Sequence, residues 1–239
     1  MKIPEILFEN DDYIILNKPS GMLSVPDGKT ESLLELLRQN REHLFIVHRI
    51  DKDTSGCICF AKNEQAHRFL SQSFEHNLVK KIYHGIVEGN LFPTEKTIDA
   101  PIREKPGKNN QMYVHATEGK KSITHYKVLE QFGLYSLVEF RIETGRTHQI
   151  RVHMQNEQHP IICDAIYGDE KPIFVSQLKK RYNLDNNLEE EKPILNRLAL
   201  HAQLISFEDE SGKQIIVEAP YFKDMKATLQ QLKKWRGGK

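Results

Sequence analysis

Short apolar runs separated by polar turns set the pattern of this chain from its first residues. Glu5–Glu9 and Tyr13–Asn17 flank the turn Asn10-Asp11-Asp12 and predict strand, turn, strand. Lys18-Pro19-Ser20-Gly21 and Pro26-Asp27-Gly28 supply turn chemistry. Thr30 or Ser32 is placed to cap a helix to about Asn40, with Leu33, Leu34, Leu36 and Leu37 on its inner side. Ile58-Cys59-Phe60-Ala61 reads as a buried strand, and Asn63 then caps a second helix to about Glu75. That helix carries Ala66, Phe69, Leu70 and Phe74 at helical spacing. Lys81–Gly89 alternates as a strand, and residues 101–121 form an extended excursion rich in Pro, Gly and Lys.

Ile123–Glu130 and Tyr135–Glu143 alternate as strands around the turn Gln131-Phe132-Gly133. Thr147 can cap a helix to about Asn156. A strand pair at Leu198–Phe207 and Gln214–Ala219 leads into a C-terminal helix from Lys223. The polar stretch 170–197, with Glu189-Glu190-Glu191, reads as an inserted surface excursion and as the most mobile part. Hairpin-connected strands outnumber helices, so the fold class is α+β with a largely antiparallel sheet.

Composition narrows the classes. At 239 residues the chain is long enough for a substantial core, and 38% apolar with 28% charged residues is the balance of a folded protein. No apolar run is long enough to cross a bilayer, and Met1-Lys2-Ile3-Pro4-Glu5 lacks the apolar stretch of a secretory signal. Three cysteines, with Cys57 and Cys59 on one strand, fit reduced thiols of the cytoplasm better than disulfides. A net charge of +1 is too small for a non-specific nucleic-acid binder. The clusters Lys80-Lys81, Lys120-Lys121 and Lys179-Lys180-Arg181 read first as solvated faces. Lys233-Lys234-Trp235-Arg236 differs by offering a ring for stacking.

Two segments carry more chemistry than a core needs. His48-Arg49-Ile50-Asp51-Lys52-Asp53-Thr54-Ser55-Gly56-Cys57 packs bases and carboxylates into one loop ahead of a buried strand. Gly145-Arg146-Thr147-His148-Gln149-Ile150-Arg151-Val152-His153-Met154 crowds donors where a strand hands over to a helix. Loops at strand ends can share a cleft. Asp51 beside Arg151 is then a carboxylate held ionised and oriented by a planar guanidinium, as a nucleophile or a base. Asp51 can equally bond its own loop backbone, and Arg151 can equally be a helix-surface residue. His148 and His153 are five apart and face different sides of a helix, so they do not form a zinc pair. There is no His-Glu-x-x-His, Cys-x-x-Cys, phosphate-cradling glycine loop or Gly-x-Ser-x-Gly elbow. A glycosidase needs two opposed carboxylates, and nothing shows that Asp51 and Asp53 flank one bond. Spacing alone stops at a polar cleft with a candidate carboxylate.

The segment His48-Arg49-Ile50-Asp51-x-x-Thr54-Ser55-Gly56, followed by Ala61-Lys62, resembles the signature of the RluA-type RNA pseudouridine synthases. Asn17-Lys18-Pro19-Ser20-Gly21-Met22, Lys81-x-Tyr83-x-x-x-Val87-x-Gly89, Ala100-Pro101-Ile102 and Thr124-His125-Tyr126 are similar to further family motifs in the same order. Gly145–His153 matches its arginine motif, and His159-Pro160-Ile161, Asp164, Tyr167-Gly168-Asp169 and Leu198–Ala202 complete the series. The likeness runs from Phe8 to about Phe222.

This resemblance implies a pseudouridine synthase catalytic fold: a central mixed, mostly antiparallel sheet flanked by helices, with an active-site cleft across it. It implies an isomerase without metal or cofactor that detaches uracil from a uridine in ribosomal or transfer RNA and rejoins it through C5. Asp51 matches the catalytic aspartate, Tyr83 the tyrosine packed on the target base, and Arg151 the arginine that pairs with the aspartate. Base flipping is part of the expectation, and Arg49 is a candidate to fill the vacated space. Ile150 is expected as an apolar wall of the pocket. Lys18, His48, Arg146 and His148 are expected as RNA-facing cleft residues, His48 being open also to a structural role. The expected organisation is one catalytic domain over 1–239, with 170–197 inserted and no separate N-terminal RNA-binding domain. RNA contacts outside the cleft then fall to the Lys105–Lys108 loop and the basic tail. A cytoplasmic monomer with structured RNA as partner, and no membrane or obligate protein partner, completes the expectation. A non-catalytic RNA-binding module of the same fold and a nucleoside hydrolase are the rivals.

Overall fold

The computed structural model describes residues 2–107, 111–179, 182 and 190–236. In chain order its first elements are β1 (Ile6–Glu9), β2 (Tyr13–Lys18), α1 (Leu33–Arg38), β3 (Phe45–Ile46), β4 (Ser55–Ala61), α2 (Glu64–Glu75) and β5 (Lys80–Glu88). β6 (Glu95–Asp99), β7 (Ile102–Glu104), β8 (Met112–Val114), β9 (Ile123–Gln131), β10 (Tyr135–Ile142) and α3 (Gln149–Asn156) follow. α4 (Val175–Leu178), β11 (Leu200–Glu208), β12 (Gln214–Glu218) and α5 (Lys223–Arg236) end the series. The chain divides into two compact units: Met1–His84 with Arg141–Thr144 and Leu200–Pro220, and Gly85–Phe140 with Gly145–Ala199 and Tyr221–Lys239.

In the first unit the strand order is β1-β2-β4-β11, with β3 also on β4 and β12 on β11. All of these pairings are antiparallel except β4 with β11, which is parallel. The sheet is therefore mixed and mostly antiparallel, as expected. β2 and β4 are buried along their whole length, which is why both read as continuous apolar runs without clean alternation. Tyr13 meets Phe207 edge to face at 5.2 Å. Ser32 caps α1 in a reciprocal box with Glu35, and the inner face is the predicted leucine set. Asn63 caps α2 through the Ala66 N–H.

One glycine is demanded by this sheet. Gly56 has φ +110°, and a Cβ there would lie 2.3 Å from the Ala202 carbonyl oxygen on the parallel neighbour. Beside it, His201 Nε2–H donates to the Ala219 carbonyl, leaving Nδ1 to face the Ser55 hydroxyl at 2.9 Å. Ser55 and Gly56 thus belong to the strand, three residues earlier than the apolar run suggested.

In the second unit the order β10-β9-β6 carries the sheet, and β7 pairs with β8 as a separate hairpin. Three features differ from the sequence expectation. β6 was not foreseen, because only Ile98 of its five residues is buried. The 101–121 excursion contains the β7–β8 hairpin, whose strands are too short for any periodicity to register. α3 begins after His148, not after a Thr147 cap, and His148 is left-handed at φ +55° with no side-chain cap bond. The Gln149 side chain replaces the cap: its Oε1 accepts the Arg146 N–H, while its Nε2 donates to the Ile123 carbonyl and to Thr124 Oγ1. Within 170–197, α4 is present and Ile173 bridges Leu195. Lys180, Arg181 and 183–189, including Glu189 of the acidic run, lie outside the described residues, as does Lys108.

Gly56→Ala should cost more than about 3 kcal/mol, since backbone on a paired strand cannot give way. Urea unfolding of the variant measures it; a midpoint equal to wild type would refute the steric argument.

Candidate active site

The backbone around Asp51 is gripped by the segment that follows β2. Lys18 is fully buried, and its ammonium donates to the carbonyls of Pro19 (3.0 Å), Met22 (2.7 Å) and Lys52 (2.9 Å). The Gly21 N–H donates to the same Lys52 carbonyl, and the Ser20 hydroxyl donates to that of Asp53. Ser24 Oγ donates to the Ile50 carbonyl at 2.7 Å and lies 3.3 Å from the Ile50 nitrogen. The Thr54 N–H closes the turn on the Asp51 carbonyl. Main-chain groups on both sides of Asp51 are thereby committed, while its side chain is half-buried and Arg49 is exposed. Lys18 was expected among the RNA-facing residues; its burial and its carbonyl cage make it a structural cation instead.

His48 is likewise tied to the frame. Its Nε2 accepts the Cys59 N–H at 3.0 Å, and its ring stacks on Phe74 with centroids 4.8 Å apart. Burial, and then the nearby Lys81 charge, push its pKa down to about 3, so it is a neutral acceptor. Tyr83 is buried, and burial followed by the Asp51 charge pushes its phenol well above the ordinary value. Tyr83 is therefore a neutral phenol near a carboxylate. Burial also pushes the Cys57 thiol up to about 12, which removes it as a nucleophile.

In the second unit Arg151 is buried on α3, and its fork meets Asp164 bidentately, Nε to Oδ2 and Nη2 to Oδ1, each at 2.7 Å. Burial alone would raise the Asp164 carboxyl. The Arg151 hydrogen bonds and charge, with the Ile166 and Tyr167 N–H groups, hold it below the ordinary carboxylate value. The Arg151 guanidinium also lies 5.1 Å from the centre of the Tyr167 ring. Ile150 is buried next to it. His148 Nδ1 is 2.9 Å from the Tyr167 hydroxyl, and Arg146 is exposed with Nε donating to the Lys121 carbonyl. Arg146 lines an open cavity of about 530 Å³ with Arg103, Glu118 and Lys120. In the sequence Asp164 and Tyr167 stand out only as motif positions. Their roles at Arg151 depend on a turn thirteen residues on, which no local pattern announces.

Among the described residues there is no group of metal-ligating residues and no helix long and apolar enough to cross a membrane. The fold resembles two solved human structures, each at 22% identity. RNA pseudouridylate synthase domain containing 4 aligns with TM-score 0.73 over 96% of this chain and 93% of that one. Domain containing 1 aligns with TM-score 0.68 over 98% and 96%. The fold is thus that of the pseudouridine synthases. Residues 12–156 match the family model described as RNA pseudouridylate synthase. An uncharacterized RNA pseudouridine synthase of Bacillus subtilis, YlyB, is 36% identical over 96% of this chain and 73% of its own length. Ribosomal large subunit pseudouridine synthase C of Escherichia coli is 36% identical over 97% and 70%. Ribosomal large subunit pseudouridine synthase D of Neisseria meningitidis is 35% identical over 96% and 61%. The chain belongs to the RluA family of RNA pseudouridine synthases and is an RNA-modifying isomerase.

Lys18→Met should cost at least about 2 kcal/mol, because the caged carbonyls lose their donor in a buried place. Denaturant titration reads this directly. Asp164→Asn should cost about 3 kcal/mol near neutrality by leaving a buried guanidinium without its counter-charge. Because Asp164 titrates lower when folded, its contribution is complete above the unfolded value of about 3.9 and is lost as pH falls through the folded value. The stability gap between wild type and Asp164→Asn should then be flat from about pH 8 to 5 and shrink below about pH 4. A gap that persists unchanged into strong acid would contradict this.

Proposed function

We propose that the enzyme converts a uridine of ribosomal or transfer RNA to pseudouridine with Asp51 as its catalytic carboxylate. The observation that carries the reading is the grip on the Asp51 loop. A carboxylate whose neighbouring Ile50, Lys52 and Asp53 main-chain groups are all hydrogen-bonded is held in place before substrate arrives. The C1′–N1 bond breaks, the base turns, C1′–C5 forms, and the C5 proton leaves while N1 takes one up. Nothing is oxidised and no water enters the product, so a single carboxylate suffices.

Tyr83 is assigned to the target base. As a neutral phenol in a buried position it supplies a ring face worth about 1–3 kcal/mol of stacking. Arg151 is assigned to the Asp51 charge on the strength of its motif, with Ile150 as the adjoining apolar wall. Flipping the uridine costs a few kcal/mol, and the exposed Arg49 is assigned to the space it leaves. Arg146 and His148 are assigned to the RNA strand near the target. Because the Escherichia coli and Neisseria relatives bear the names of large-subunit synthases, we favour large-subunit ribosomal RNA, acted on in the cytoplasm by a monomer.

Total RNA labelled with tritium at C5 of uridine, from cells lacking this gene, should release tritium on adding the protein without metal. Asp51→Ala should abolish release, a loss of at least about 10⁴-fold, with RNA binding largely retained. Turnover by Asp51→Ala at the wild-type rate would sink the assignment.

A further inference from the structure

Tyr167 is a buried residue that bridges two elements of the second unit, the hairpin and the start of α3. The turn that presents it is built by Asp164, whose Oδ1 accepts the Ile166 and Tyr167 N–H groups and whose carbonyl accepts that of Gly168. The same carboxylate clamps Arg151, so guanidinium and phenol are set from one anchor. The ring packs with Ile102 and Val152, with Met112 and Val114 of the hairpin against it, and the Arg151 guanidinium lies over its face at 5.1 Å. The hydroxyl accepts the Met112 N–H of β8 at 2.8 Å and shares a hydrogen bond with His148 Nδ1 at 2.9 Å. His148 holds a left-handed backbone conformation at the entrance to α3, and the Tyr167 hydroxyl lies against its ring nitrogen there.

We propose that Tyr167 is a positioning residue for the isomerisation. Its ring holds the Arg151 guanidinium, and its hydroxyl ties that guanidinium's surroundings to the β7–β8 hairpin. One side chain sets the β7–β8 hairpin and the arginine together. The inference rests on the reading that Arg151 serves the reaction. The ring and the hydroxyl make separable contributions: the ring acts on the chemical step, the hydroxyl on how the hairpin side meets RNA.

The test uses Tyr167→Phe and Tyr167→Met in the full chain, with the same C5-tritiated total RNA as probe. Tyr167→Phe keeps the ring and strands the Met112 N–H. It should raise the apparent KM about tenfold while lowering kcat by a smaller factor, and speed amide exchange across 112–114. Tyr167→Met fills the space without a π face and should lower kcat about 100-fold, so that Phe rescues kcat relative to Met. A residue that only supports the fold would instead lower both variants' activity in step with their melting temperatures. That outcome overturns the proposal, as does a wild-type KM in Tyr167→Phe or a wild-type kcat in Tyr167→Met. If Tyr167→Met does not fold, the KM and exchange of Tyr167→Phe decide alone. Asp51→Ala, assayed in parallel, keeps the readings apart: its full activity would remove Asp51 from the mechanism, whereas the amide exchange of 112–114 reports on the Tyr167 link without any turnover.

Discussion

A buried ammonium holds the loop that carries Asp51. Lys18 draws three carbonyl dipoles to one point, and one of them belongs to the residue next to Asp51. Burying an ammonium is costly, and the three converging carbonyls offset part of that cost. The cage forces the turn after β2 to fold against the loop before β4, which in turn places Ser20 and Ser24 within reach of Asp53 and Ile50. The short polar stretch that reads as turn chemistry is therefore the support for the backbone on both sides of Asp51.

The second unit solves a similar problem with a different device. Arg151 is buried as a charge and is compensated by Asp164, which is itself held by two backbone N–H groups. An arginine suits this place because a planar fork fixes direction as well as charge, and its flat face remains available to Tyr167. The strained His148 backbone at the start of α3 lies in the same network. Strain at such a point is tolerated where surrounding bonds over-determine it. In both units backbone hydrogen bonds fix the neighbourhood of a motif residue: those of Lys52 and Asp53 beside Asp51, and the Ile166 and Tyr167 N–H groups that hold the Asp164 partner of Arg151.

Much of this was legible in the residues. The leucine face of α1, the Ser32 and Asn63 caps, and the strand pairs around Phe132 and Gly212 follow from periods of 3.6 and 2 and from local capping chemistry. The motif series brought out Asp51, Tyr83 and Arg151 and the family with them. What escaped had low apolar contrast or short length: β6, with one buried side chain, and the three-residue strands of the hairpin. Lys18 escaped for another reason. As a motif residue it reads as RNA-facing, and only its burial and its carbonyl cage reverse that.

The sequence by itself determined the longer elements, the class of fold, the family and the candidate carboxylate, because these rest on periodicity, capping and local motif, all of which act over a few residues. The tertiary structure alone decided which charges are structural and which are presented. Lys18 and His48 turned inward, Asp164 became a partner of Arg151, and Gly56 became obligatory against Ala202. Each of those outcomes depends on desolvation or on contact between segments distant in the chain, and neither quantity is written in the local order of residues.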